Sequence, residues 1–550
     1  MDTPLPNTPS SEDYEALLAE NSNQQTIITD LQKQVKELLQ SVEQLRAMLR
    51  LAQQERFGRS SEKKHINPDQ ISIFNEAEME ADASPSEEEP TLETVVVRRK
   101  KTKGKRDADL SVLPQEIIEH KLAEKDRHCP TCDTVMDECG VTDHNEVIYV
   151  PATVKVKTHR QYAYACPCCK HNGDKAEVMR APMPRPLLPK SLVSPSLLAH
   201  IASEKYDKAV PLYRIERTFA DKRFHLPRQT MARWIIKVHE EYLAGFFDVL
   251  HKQFVMATHA HADETEVQVL NEPDRDAKQK SRMWVYRTGR GAPPLILFDY
   301  QETRHGEHAV RFLDGFCGTL QVDGYSGYNA LPDTVILAGC VAHMRRHFIE
   351  AERALPKGSA PEQRADLDEV IGYIGQLYAI EQNVDKTVAK KHLDKEDALR
   401  WLHAARQTQS RPIFDTLYRR LRELEGEVLP RSYFGKAITY ALNQESMLRV
   451  YLDDPLVDID NNACERSIRP FVTGRKNWMF SDTPAGAKAS ACYYSIVETA
   501  KANGLDAYSY MNWLLSALAQ IDNSEVMDYE RCFPWSPTVQ SHCQKMIKPR

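Results

Sequence analysis

The stretch TLQVDGYSGYNALPDTVILAGCVAHMRRHF, Thr319 to Phe348, decides how the rest of this chain is read. It opens with a short apolar run, Leu320 to Val322, that delivers Asp323 to a strand end, where Gly324 breaks the strand. After a Pro-containing turn a second apolar run, Val335 to Ala338, leads into Cys340, His343, Arg345 and Arg346. Short apolar runs separated by turn residues predict neighbouring strands of a mixed sheet. A carboxylate at a strand end with glycine behind it is placed to hold something in a crevice, although an isolated Asp-Gly is more often a solvated turn. Two similar placements weigh against the turn. Upstream, Val255-Met256-Ala257 leads as a strand through a His-rich link to Asp263-Glu264-Thr265. Downstream, Asp460-Asn461-Asn462-Ala463-Cys464-Glu465-Arg466 carries an Asp/Asn cap signal and opens a basic segment.

At 550 residues the chain exceeds one core, so several domains are expected. The net charge of -7 hides strong local asymmetry and says little about partners. No apolar run is long enough to span a bilayer and the N-terminus lacks a signal pattern, so a soluble, cytoplasmic chain is expected. Twelve cysteines in a reducing compartment favour a metal site over a disulfide framework.

Working outward, residues 12–57 contain neither Gly nor Pro. A heptad places Tyr14, Asn21, Ile28, Val35, Val42 and Leu49 at a, and Leu17, Gln24, Leu31, Leu38, Leu45 and Ala52 at d. β-branched a with Leu at d favours a two-stranded parallel coil, and Asn21 would set its register. The alternative, an amphipathic helix packed within the chain, needs a wider apolar face. Residues 59–110 read as a charged linker ending in the basic arm Arg98-Arg99-Lys100-Lys101-Thr102-Lys103-Gly104-Lys105-Arg106. That arm is either a solvated charge run or a segment lying along DNA phosphates. Two knuckles, Cys129-Pro-Thr-Cys132 and Cys166-Pro-Cys-Cys169, can supply four thiolates to one tetrahedral zinc. Val147–Tyr149 and Val154–Val156 read as strands between them, giving a zinc ribbon. Cys168 competes with Cys169 as the fourth ligand, and spacing favours Cys169. Four thiolates leave no open position, which makes the ion structural. Residues 195–242 read as consecutive helices, and Arg228, Gln229, Thr230 and Arg233 stand at the start of the third, after Pro227. This suits a helix-turn-helix reader of DNA and equally a three-helix packing unit.

Met283–Tyr286 and Leu295–Phe298 read as antiparallel strands, and residues 364–452 as helices with stripes at Leu367, Val370, Ile371, Ile374, Leu377, Tyr378 and at Phe414, Leu417, Tyr418, Leu421. If Asp263, Asp323 and Glu465 meet, their mutual repulsion demands cations, and oxygen-only ligands suit Mg²⁺ or Mn²⁺. Two such ions can activate a water or a 3′-hydroxyl and stabilise the leaving oxygen of a phosphodiester. Arg466 and Arg469 would then meet the scissile backbone. Spacing alone does not establish this constellation.

At these residues the chain resembles a known family, the large transposase of the bacterial insertion-sequence-66 family, a DDE transposase. The resemblance rests on Ala262-Asp-Glu-Thr265, Val322-Asp-Gly-Tyr325 with Gly327-Tyr328, Cys340-Val-Ala-His-Met-Arg-Arg-His-Phe348 and Tyr440-Ala-Leu-Asn-Gln444. Asp460-Asn-Asn-Ala-Cys-Glu-Arg466, Arg469-Pro470 and Gly474-Arg-Lys-Asn-Trp478 complete it, in an order that covers nearly the whole chain. Glu266, Val341 and Arg223 depart from the family pattern, Arg223 at the usual turn glycine of the helical region. The resemblance implies a multidomain α/β chain with a ribonuclease-H-like catalytic core, interrupted by an α-helical insertion, and Asp263, Asp323 and Glu465 as its acidic triad. It divides the chain into a coil over 1–58, a linker over 59–110, a zinc ribbon over 111–185 and a helix-turn-helix-like domain over 186–248. The core follows over 249–360 and 455–500 around an insertion at 361–454, with a C-terminal helix and tail over 501–550. Arg345, Arg346, Arg466, Arg469, Arg475 and Lys476 are the basic residues expected near the site.

Asp263 is preferred to its neighbour Glu264 because adjacent strand residues face opposite ways and the family pattern puts the ligand there. Cys340 and His343 read as a buried cysteine and a hydrogen-bonded histidine rather than a second metal pair. The expected function is metal-dependent cleavage and joining of DNA at the element's own ends, by a dimer or larger assembly, with accessory proteins of the same element as further partners. A DNA-binding regulator and a hydrolytic nuclease on the same fold are the competing readings.

Overall fold

The computed structural model describes most of residues 20–49 and residues 154–160, 162–165, 178–180, 184–355, 361–520 and 529–543. Both Cys-x-x-Cys knuckles, the linker and the basic arm lie outside them. The described residues fall into two compact units, the smaller taking those within 71–184 and 217–226.

In the smaller unit β1 (Ala163–Ala165) pairs antiparallel with β2 (Val178–Arg180), Tyr164 opposite Met179. The strand expected at Val154–Val156 does not form. Its alternating pattern finds no ladder partner among the described residues, and Val156 is 91% exposed. Residues 217–226 hold a tight turn. Arg223 takes a left-handed φ of 59° where glycine is the usual choice, and the Phe224 amide donates to the Phe219 carbonyl at 3.0 Å. This is a helix C-terminal closure, held by the edge contact of Phe219 with Phe224 at 5.7 Å.

In the larger unit the described part of residues 20–49 is helical, and Ile28, Leu31, Val35, Leu38, Val42, Leu45 and Leu49 are all exposed along it. Helices α1 (Pro195–Ala202), α2 (Leu212–Asp221, whose end belongs to the smaller unit), α3 (Arg228–Val238) and α4 (Ala244–Val255) follow. Ser194 caps α1 by accepting from the Leu197 amide at 3.2 Å. Pro227 is the cap residue of α3 and not its first helical residue.

The sheet contains β3 (His259–Gln268), β4 (Lys280–Thr288), β5 (Ile296–Gln301), β6 (Gly318–Gln321) and β7 (Val335–Ala338), with α5 (Glu307–Phe312) between β5 and β6. Its order is β5-β4-β3-β6-β7. The first three strands form an antiparallel meander, and β6 and β7 run parallel to β3. Val255-Met256-Ala257 is not the strand expected before Asp263. Val255 ends α4, Met256 is 66% exposed, and Asp263 lies within the ten-residue β3. The reason lies in the pairing: β3 is long because all its residues but the first pair with β4, whereas only His259–His261 pair with β6.

Helices α6 (Val341–Ala354), α7 (Pro361–Lys391), α8 (Lys395–Ala405), α9 (Arg411–Glu427), α10 (Tyr433–Asn443) and α11 (Glu445–Asp453) form a block on the β7 side. The two apolar stripes of α7 and α9 close on one core with Phe348, Phe434 and Ile438. Arg406, fully buried, ties the block together. It makes a two-pronged pair with Glu381 at 2.7 and 2.8 Å and donates to the carbonyls of Tyr451, Asp454 and Val457. The chain then returns to the sheet through α12 (Asn462–Trp478), α13 (Pro484–Ala502), α14 (Ala507–Leu518) and the short α15 (Pro537–Cys543). Gly474–Trp478 is the last part of α12, which continues through Pro470.

Helix α13 covers the β5 edge. Its Ser495 and Thr499 hydroxyls accept from the Phe298 and Ile296 amides at 2.7 and 3.0 Å, satisfying groups an open edge would expose. No helix among the described residues is long and apolar enough to cross a membrane.

Candidate active site

The parallel register sets up the acidic pair. His261 of β3 pairs with Gln321 of β6, and two residues further along each chain segment come Asp263 and Asp323. Neighbouring strands lie ~4.8 Å apart, so carboxylates placed this way feel each other. Burial pushes the Asp263 carboxyl well above the usual range, and the charges of Glu264, Asp323 and Glu465 push it further. Three acids from β3, the end of β6 and the first turn of α12 thus share one electrostatic field.

Asp323 sits on a loop clamped from two sides. Its side chain accepts from the Tyr325 amide at 3.0 Å, and its backbone carbonyl accepts from Tyr440 of α10 at 2.7 Å. Gly324 has a φ of 91°, and a Cβ there would stand 2.8 Å from the Tyr440 hydroxyl, so this turn needs glycine. On the other side Arg304 lies 3.8 Å from the centre of the Tyr325 ring and Tyr325 donates to the Arg304 carbonyl at 2.6 Å.

Glu264, the rival ligand, is already engaged. It pairs with Arg304 at 2.5 Å and accepts from Tyr328 at 3.1 Å. Burial and the charge of Asp323 raise its carboxyl, and Arg304 opposes them. Asp263 Oδ1 accepts the amide of Glu264 at 2.8 Å. Sequence reasoning missed Arg304, because no motif or spacing ties it to Asp323; only the stacking on Tyr325 does.

Glu465 is positioned by Asn461, which is fully buried before α12. Its side chain donates to the Ala262 carbonyl at 2.9 Å and meets His261 Nδ1 at 2.9 Å, and its amide donates to Cys340 Sγ at 3.2 Å. One residue therefore registers the helix of Glu465 on the strand of Asp263 and on the start of α6. The Asn461 NH2 is given to the Ala262 carbonyl and its oxygen can only accept, so His261 Nδ1 is the donor between them, and burial lowers the His261 imidazole below its usual range. Glu465 Oε1 is buried with no hydrogen-bond partner. Clustered carboxylates and an unpartnered buried oxygen fit divalent cations, and an all-oxygen set suits Mg²⁺ or Mn²⁺.

Of the basic residues, Arg346 lies 3.7 Å from Glu465 Oε2. Arg475 turns inward, donating to the Glu266 carbonyl and to Thr265 at 3.3 Å. Arg466 and Lys476 are exposed along α12, and Arg345 and Arg469 are partly covered. Arg228, Gln229 and Arg233 are exposed on α3, with Thr230 partly covered. Arg98, Arg99, Lys100, Lys101, Cys129, Cys132, Cys166 and Cys169 lie outside the described residues.

A family model described as "Transposase IS66 family" matches residues 190–489. Models described as "zinc-finger binding domain of transposase IS66", "Transposase C of IS166 homeodomain" and "IS66 C-terminal element" match residues 126–170, 44–118 and 495–535. Two curated relatives from Sinorhizobium fredii carry the names "Uncharacterized protein y4jD" and "Uncharacterized protein y4qI". The first is 29% identical over 80% of this chain and 84% of its own length, the second 27% identical over 90% and 88%.

Proposed function

Because this chain belongs to the IS66 transposase family, we propose that it binds the ends of its own insertion sequence and carries out metal-dependent strand cleavage and strand transfer. The observation that carries the reading is the convergence of Asp263, Asp323 and Glu465 from three separate elements into one electrostatic cluster. An antiparallel meander continued by two parallel strands supports a ribonuclease-H-like core. Asp263, Asp323 and Glu465 would hold two Mg²⁺ or Mn²⁺ ions, which when bound activate a water or 3′-hydroxyl and stabilise the departing oxygen.

The protein's own contribution is placement. Tyr440 and the Arg304–Tyr325 stack hold the Asp323 loop, and Asn461 holds Glu465. Arg346, Arg466 and Arg469 meet the DNA backbone, the exposed face of α3 reads the element ends, and the arm Arg98–Arg106 adds phosphate contacts. The match over 126–170 spans Cys129, Cys132, Cys166 and Cys169, which would hold one structural zinc. The exposed apolar seam of residues 28–49 pairs with a second copy as a coiled coil.

The test is strand joining of element-end DNA with Mg²⁺ or Mn²⁺, beside a binding assay. Alanine at Asp263, Asp323 or Glu465 abolishes joining and spares binding. Glu264→Gln, which weakens the Arg304 clamp and alters the Tyr328 contact and the charge beside Asp263, lowers joining about tenfold, within the range a misplaced group costs. Wild-type joining by Asp323→Ala overturns the mechanism. Binding without joining by the wild type points to a regulator, and cleavage without joining to a nuclease.

A further inference from the structure

Cys340 is the cap residue of α6 and His343 lies in its first turn, so the two stand three residues apart on one helical face. Glu465 of α12 meets them. One ligand atom from each, the Cys340 sulfur, a His343 ring nitrogen and a Glu465 oxygen, lies within 4.8 Å of the other two. His343 Nδ1 and Glu465 Oε1 face each other at 3.6 Å, and both are buried without a hydrogen-bond partner. Two adjacent orphaned atoms of this kind are costly unless a third body satisfies them. The sulfur is buried as well and accepts the amide of Asn461 at 3.2 Å. The His343 amide points at the same sulfur.

We infer that Cys340, His343 and Glu465 form a second cation site for a soft divalent ion such as Zn²⁺, sharing the Glu465 carboxylate with the acidic cluster. Sulfur and imidazole donors select zinc over magnesium. Zinc bonds of 2.0–2.3 Å in tetrahedral geometry place ligand atoms about 3.3–3.6 Å apart, so the His343–Glu465 separation needs almost no adjustment. Three protein ligands leave a fourth position open. The ion displaces the thiol proton, and coordination through Nδ1 leaves the imidazole proton on Nε2.

Arg346 now donates to that Nε2 at 3.3 Å and lies 3.7 Å from the second Glu465 oxygen. It supplies the positive charge the ion would replace, and its exposed side chain is free to swing outward as the ion enters. The site rests on the geometry of these three residues and not on strand transfer, so a metal count without DNA tests it alone.

The experiment uses full-length protein stripped of metal, in a background carrying Cys129→Ser, Cys132→Ser, Cys166→Ser, Cys168→Ser and Cys169→Ser, which removes the other thiolate site. Titration with Zn²⁺ is read by elemental analysis, and with Co²⁺ by the thiolate-to-metal absorption band. One tight equivalent and a thiolate band are expected. Cys340→Ser loses the band, and His343→Gln, a milder change, weakens Zn²⁺ at least about 100-fold, since even outer partners of zinc ligands are worth 10–100-fold. Arg346→Gln tightens it. No tight equivalent in the parent, or identical counts and spectra in parent and His343→Gln, overturns the site.

Discussion

At the residue scale, burial decides which charges the fold tolerates. Asp299 on β5 shows this away from the acidic cluster. Burial pushes its carboxyl up to about 6, against the hydrogen bond from Gln301 at 2.7 Å and the charge of Arg311. The folded value lies above the unfolded one of about 3.9, so the fold prefers the protonated acid. Its contribution to stability is complete below about pH 4 and is lost as pH rises through 6. Asp299→Asn is therefore expected to raise stability over wild type at pH 8 by about 1–3 kcal/mol and to change it little at pH 4. Thermal melts at the two pH values check this, and a variant less stable at pH 8 reverses the sign.

At the scale of elements, one buried cation ties the helical block together and to the segment that leads back to α12. Arg406 reaches Glu381 on α7 and three carbonyls between Tyr451 and Val457. Removing one partner of a buried pair strands the other charge, at about 3–5 kcal/mol. Arg406→Ala should lower the free energy of unfolding, measured by denaturant titration, by that amount, whereas Arg400→Ala, whose pairs are exposed on α8, should cost under about 1 kcal/mol. Equal losses in the two variants would show that the block does not depend on Arg406. The block reaches the site through Tyr440 as well, so Arg406→Ala should also loosen the Asp323 loop. That predicts weaker apparent affinity for Mg²⁺ in joining, measured as the half-saturating concentration.

At the scale of the whole molecule, the exposed seam from Ile28 to Leu49 predicts self-association. Deleting residues 12–57 should convert a concentration-dependent dimer to a monomer in sedimentation, and an unchanged mass would exclude the coil as the dimer contact. The arm Arg98–Arg106 belongs to this scale because phosphate contacts act wherever DNA lies. Its deletion should weaken binding to all sequences alike and flatten the salt dependence by about 0.9 for each phosphate no longer neutralised. An unaltered slope returns the arm to a solvated linker.

Periodicity by itself determined β7, half of β6 and the α7 and α9 stripes, and residue chemistry named Asp263, Asp323 and Glu465 as candidates. These depend on local spacing and on charge that has no reason to cluster without a ligand. The Val154–Val156 strand and the one before Asp263 were misplaced because a strand exists only through its partner, and no local pattern names the partner. The fate of Glu264 was settled by Arg304, forty residues away, and the registration of Glu465 by Asn461, about 200 residues from the strand it grips. His343 is hydrogen-bonded as expected, through Nε2 to Arg346, while its Nδ1 is left without a partner. Whether a polar atom is satisfied depends on everything packed around it, and only the tertiary structure decides that.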